Sequence, residues 1–260
     1  MNGKVQAPGN RVALGRRSLQ LAIFASLCLA AAPPLAAQEN ASNPLAKTNN
    51  TDIRFQYTDA ETGYLGDGYI DGAFMARPNL KLKYELHYNW TDRSGSSESD
   101  FEKIVIKPIF FPSEHKLSED WGVRTAIGLD WILDLGDVDK GIGVGADQIG
   151  PFGGLAFGRT STGLTLIPLV QQYLSYNGET DINTTSARLI ALQPFAQAYW
   201  VKLDAKVPYD WENDAWPATA EVQLGYNFSD RIAWYADGLV GIGNDRPYDA
   251  GAGLGLRFKY

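Results

Sequence analysis

The sequence predicts an all-β chain closed into one antiparallel, up-and-down transmembrane β-barrel of twelve strands, with ten as the alternative count. Three observations predict it. Segments throughout 51–260 alternate apolar and polar side chains, as a strand with one dry and one wet face requires. Their connections alternate between polar, often long loops and short turns, the asymmetry of a membrane barrel. The aromatic residues sort to the two ends of the strands on the apolar face, where a bilayer places amphipathic rings. A secreted β-sandwich is the structural alternative, but it has no reason to sort aromatics by strand end.

Taken in order, the candidate strands lie near 51–58, 67–75, 79–91, 100–111, 120–133, 149–158, 163–176, 184–196, 200–211, 217–228, 231–242 and 249–260. The alternation is clearest over 80–91. There Leu80, Leu82, Tyr84, Leu86, Tyr88 and Trp90 oppose Lys81, Lys83, Glu85, His87, Asn89 and Thr91. A helix would spread those charges around its circumference; a strand puts them on one face. Residues 121–134, 201–211 and 220–228 repeat the pattern, with Arg124 and Asp130, then Lys202, Asp204 and Lys206, then Glu221 on the polar face. The polar connections are 59–66, 92–99, 134–148, 177–183, 212–216 and 243–248; the mostly short ones are 76–78, 112–119, 159–162, 197–199 and 229–230. The first set is expected outside, and an even count leaves both ends of the barrel on the periplasmic side. Tyr57, Tyr88, Trp90, Trp131, Tyr209 and Trp211 then form an outer belt, and Phe110, Trp121, Tyr226, Phe228, Trp234, Phe258 and Tyr260 an inner one. The weakest joints are the glycine-rich 142–163 and the stretch 184–200, which has no clear turn. Pro108, Pro151, Pro168, Pro194 and Pro208 fall in or beside strands. Each removes a ladder donor, and a closed barrel has no free edge for it, so the boundaries drawn there are expected to be at fault.

The start of the chain reads as a secretory signal over residues 1–37. Arg11, Arg16 and Arg17 precede an apolar run from Leu19 to Leu35, and Ala36-Ala37 provides a cleavage point. Pro33-Pro34 interrupts the run before it reaches the length of a membrane helix. Cys28, the only cysteine, follows a poorly fitting Leu27 and is read as part of the signal, not as a lipid attachment site. Removing 1–37 takes away Lys4 and the three arginines, so the formal charge falls from -7 to 19 − 30 = -11. That balance opposes binding to nucleic acid. Residues 38–50 are polar and are expected to be a flexible segment, either a disordered tail or a plug on the periplasmic side. The barrel proper is assigned to 51–260.

At the other end, Leu254, Leu256, Phe258 and Tyr260 share one face of the last strand, opposite Gly255, Arg257 and Lys259. This run resembles the C-terminal assembly signal of bacterial outer-membrane barrels. Further segments carry a second resemblance: 101–112 (FEKIVIKPIFFP), 119–124 (EDWGVR), the glycine-rich 141–154 and 181–195 (DINTTSARLIALQPF). They are similar to the outer-membrane family called transporter or MetA-pathway-of-phenol-degradation-like. The resemblance covers about two-thirds of the chain beyond residue 37. It implies an outer-membrane barrel with a transport role, and it brings no catalytic residues.

Chemistry is sparse. Only two histidines occur, His87 in a strand and His115 in a turn, and neither sits in a motif that supplies a Ser–His–acid geometry. There is no cysteine pair and no EF-hand spacing, so no cofactor is expected. Acidic outer loops offer Asp134, Asp137 and Asp139 as weak candidates for a hard cation. The lumen is the more informative surface. Lys81, Lys83, Glu85, His87, Lys103, Lys107, Arg124, Asp130, Lys202, Asp204, Lys206, Glu221, Arg257 and Lys259 point inward by strand phase. Charges in such number must be hydrated or paired. Two functions follow. Either they line a water-filled path for small polar or anionic solutes, or they pair across the lumen and leave a non-conducting barrel that acts through its acidic loops. The expected surroundings are outer-membrane lipid and lipopolysaccharide, the barrel-assembly machinery and small solutes.

Overall fold

The computed structural model describes residues 39–260; the signal assigned to 1–37 lies outside the described residues. Twelve strands run in order: β1 (Asn50–Ala60), β2 (Gly63–Arg77), β3 (Leu80–Thr91), β4 (Glu98–Lys116), β5 (Trp121–Asp134), β6 (Ala146–Arg159), β7 (Thr165–Gly178), β8 (Asn183–Phe195), β9 (Tyr199–Asp210), β10 (Ala218–Asn227), β11 (Ile232–Ile242) and β12 (Ala250–Lys259). Each pairs antiparallel with its sequence neighbours, and β1 closes on β12 from Asn50↔Lys259 to Asp59↔Ala250. Twelve is the strand count, and ten is excluded. Closure leaves no unpaired edge, so every backbone donor in the wall has a neighbour to bond.

Phase puts the apolar residues outside. On β12 Leu254 is 62% exposed while Arg257 is 6%. On β1 Ile53, Phe55 and Tyr57 are exposed while Asp52 is buried. The surface so formed is a continuous apolar band. Tyr88, Trp131 and Trp211 stand exposed toward one rim, and Phe110, Trp234 and Tyr260 toward the other.

The two weak joints resolve in different ways. Before β6, the loop turns through Gly141, Gly143 and Gly145, all with positive φ. Between β8 and β9 the turn is made by Ala196 and Gln197, both left-handed without being glycine. A turn built from such residues leaves no glycine or asparagine for the sequence to display. The prolines are a correction: all five lie inside strands. Pro108 pairs with Leu82 of β3, while the ladder to β5 passes from Ile106↔Trp131 to Ile109↔Gly128. Pro151 pairs with Leu129, while the ladder to β7 passes from Ile149↔Leu174 to Phe152↔Gln171. The missing donor is absorbed on one side of the strand only.

The interior is filled, not hollow throughout. In the half of the lumen under β4–β8, Ile109, Phe111, Ala126, Ala156, Ile167 and Ile190 form an apolar cluster. A second cluster holds Trp200 and Tyr235, each lying against a glycine on the next strand, Gly225 and Gly255. A Cβ on Gly255 would stand 2.2 Å from Tyr235 Cζ. Gly255→Val should therefore displace the ring and cost about 1–3 kcal/mol, read as a lower urea midpoint for the folded barrel in detergent. An unchanged midpoint would mean that Tyr235 moves aside freely.

Candidate functional site: a charged lumen with a packed floor

Twelve of the fourteen predicted lumen residues line one cavity of about 550 Å³ inside the barrel: Lys81, Lys83, Glu85, His87, Lys103, Lys107, Asp130, Lys202, Asp204, Lys206, Glu221 and Arg257. Arg124 lies apart, at the lower mouth, in a smaller cavity that His115 also lines. Lys259 sits at the lower rim and donates to Asn227 Oδ1 at 3.0 Å.

The charges are held in pairs. Arg188 forks onto Asp204, Nε–Oδ1 2.7 Å and Nη2–Oδ2 2.6 Å. Lys107 reaches Asp130 at 3.0 Å and Lys202 reaches Glu221 at 2.8 Å. Across three strands, Arg54 of β1 meets Asp237 at 2.7 Å and Glu221 at 3.0 Å. At the closure of the ring, Asp52 takes Arg257 Nε at 2.9 Å and Nη2 at 2.6 Å, and also accepts from Tyr235 Oη at 2.8 Å. Asp52 and Arg257 are register partners on β1 and β12. Such pairs keep buried charges compatible with a low-dielectric wall. Asp52, Arg54, Asp67, Asp71, Glu102 and Arg188 were not among the predicted site residues. For Asp52 and Arg54 the signal was available, because they alternate with Ile53 and Phe55.

Residues 39–49, expected as a flexible segment, are packed inside the barrel at its lower end. Leu45 and Ala46 are 1% and 0% exposed, and Leu45 completes the apolar cluster of β4–β8. Lys81 Nζ donates to Ala46 O at 2.7 Å. Ser42 Oγ donates to Gln223 Oε1 at 3.0 Å and accepts from Arg257 Nη1 at 2.7 Å. Arg124 binds Leu45 O and Glu39 Oε2, each at 3.0 Å, and Glu114 Oε1 at 2.8 Å; Lys47 meets Glu114 at 2.9 Å. The cavity floor is thus made by Ala41, Ser42, Pro44 and Leu45. Arg124 serves as the clamp of this segment.

The acidic loop candidates do not converge on an ion. Asp134 spends both oxygens on backbone donors, Oδ1 on Gly136 and Oδ2 on Val144, Gly145 and Ala146. It staples the glycine-rich loop. Asp137 caps the single helical turn Val138–Lys140 through the N–H of Asp139. Lys140 pairs with Asp100 at 2.7 Å, which raises the lysine above its usual range. At the lower turn, Arg159 beside Asp120 holds that carboxyl below the usual range.

No protein-family model matches the chain, and no curated protein matches it. The resemblance to the phenol-degradation transporter family is therefore not confirmed. Solved structures do match. An outer membrane channel from Pseudomonas putida F1 superposes with a TM-score of 0.57 at 8% identity, covering 83% of this chain and 97% of the other. The NanC porin gives 0.57 at 13% identity, covering 81% and 100%. The KdgM porin, in complex with disordered oligogalacturonate, gives 0.50 at 11% identity, covering 81% and 99%. At these identities the likeness is one of fold: the chain is built as outer-membrane β-barrels of the channel and porin type are built.

Proposed function

We propose that this protein is an outer-membrane channel for small polar or anionic solutes, without catalytic activity of its own. The observation that carries the reading is the cavity of about 550 Å³ within a closed barrel, lined by nine lysine and arginine side chains, six carboxylates and His87. Lining cations that no carboxylate neutralises, Lys206 among them, favour anions in a narrow, low-dielectric bore. The fold neighbours, two porins and a channel, support the same reading. The outward row Leu254, Leu256, Phe258 and Tyr260 suits recognition by barrel-assembly machinery, and the apolar band suits outer-membrane lipid beneath lipopolysaccharide. The packed floor and the paired charges favour a second reading, a barrel that stays closed and acts through its loops.

Single-channel recording of the refolded protein, with a salt gradient, separates the two. Discrete steps with an anion-selective reversal potential are expected; a folded barrel that gives no steps would favour the second reading. Lys206 lines the cavity, and among the described residues no carboxylate lies within 4.0 Å of its ammonium. Lys206→Glu should therefore move the reversal potential toward cations. An unchanged potential would remove Lys206 from the conducting path.

A further inference from the structure

We propose that Asp67, His87 and Glu102 form a binding site for a first-row transition dication, Zn²⁺ being the best match, on the lumen wall. Their ligand atoms all lie within 4.8 Å of one another. Asp67 Oδ2 is 2.9 Å from His87 Nδ1, and Glu102 Oε2 is 3.9 Å from the same nitrogen. Donors around a zinc ion at about 2.0–2.2 Å stand roughly 3–3.5 Å apart, so a small contraction of Glu102 completes the set. One imidazole with two carboxylates suits zinc and its neighbours better than it suits the all-oxygen preference of calcium.

Three further features point the same way. The β3–β4 ladder shifts register between His87↔Lys103 and Tyr88↔Phe101, which makes Glu102 the extra residue of a β-bulge. The bulge puts Glu102 and Lys103 on the lumen side together and sends Phe101 outward against Tyr88. Bulges re-aim side chains in this way. The His87 ring is fixed by stacking on Tyr69, centroids 4.4 Å apart. Its other nitrogen, Nε2, is buried without a hydrogen-bond partner, in a residue only 6% exposed, and faces Glu85 Oε2 at 3.5 Å. A histidine that binds metal through one nitrogen commonly donates from the other to a carboxylate, and Glu85 stands where that partner belongs. Asp67, Glu85 and Glu102 bring three negative charges to the imidazole. Lys103 forms its ion pair with Glu102, at 2.8 Å, and Lys83 and Lys107 approach Glu85 only to 3.7 and 3.6 Å.

The test is calorimetric titration of ZnCl₂ into the metal-stripped, refolded barrel, with Co²⁺ absorption as a second readout. The expected result is one tight site per chain, lost in His87→Gln and weakened at least tenfold in Glu102→Gln. Glu212→Gln, on an outer loop, should leave the isotherm unchanged. Folding of each variant is checked by heat-modifiable gel mobility. The proposal is overturned if the wild type binds no more Zn²⁺ than folded His87→Gln does, the outcome expected of an imidazolium held between Asp67 and Glu85. It is also overturned if Co²⁺ shows no ligand-field band that depends on His87. Neither readout needs the barrel to conduct, so the site and the channel reading fail independently.

Discussion

Deleting residues 39–47 should raise the single-channel conductance several-fold while the barrel stays folded. These residues form the cavity floor, and the wall beneath them is complete without them, because β1 begins at Asn50 and pairs on both sides. What the deletion removes is Leu45 from the apolar cluster and the segment's partners for four wall side chains, Lys81, Arg124, Arg257 and Gln223, which would then face water. The cost in stability is that of losing a buried leucine. Leu45→Ala alone should lower unfolding stability by about 2–5 kcal/mol. Planar-bilayer recording of the deletion variant decides the matter. Conductance equal to the wild type would place the narrowest point among the ion pairs above the floor.

Breaking the pair at the ring closure should be strongly destabilising. Asp52 and Arg257 side chains are 1% and 7% exposed, and they meet through a two-point contact that Tyr235 and Asn50 extend. Removing one charge leaves the other buried and unpaired, at a cost of about 3–5 kcal/mol. Arg257→Leu and Asp52→Leu should each lose that amount in reversible urea unfolding. The double variant should recover most of it, because no isolated charge then remains. Additive losses in the cycle would mean that the two side chains act through separate partners.

The fold was legible because a barrel writes its wall in the simplest of periods. His87 and Lys81 alternate with Leu86 and Leu80, and both are buried on the cavity side of β3. The twelve alternating segments match the twelve strands of the ring. What stayed hidden belongs to interactions without a period. Glu102 is out of phase with Lys103 in sequence, and only the bulge brings both inward. The turn at Ala196 and Gln197 uses residues that carry no turn signal. The prolines misled, because a donor lost toward one neighbour is compatible with pairing to the other. The packed floor is set by one leucine and a few hydrogen bonds in a polar stretch, whose composition leaves a tail and a plug both open.

That floor is fastened by two unlike kinds of contact. At Leu45 the attachment is dry, 1% exposed, and made by dispersion and hydrophobic burial. At the mouth it is an ionic clasp: Glu39, Lys47 and Glu114 side chains are 35%, 29% and 53% exposed. Salt shortens the Debye length to about 3 Å at 1 M and strengthens apolar burial if it acts at all. Rising ionic strength therefore loosens the clasp and leaves the apolar seat in place, so concentrated salt should free the Glu39 and Lys47 side chains without drawing Leu45 out of the barrel.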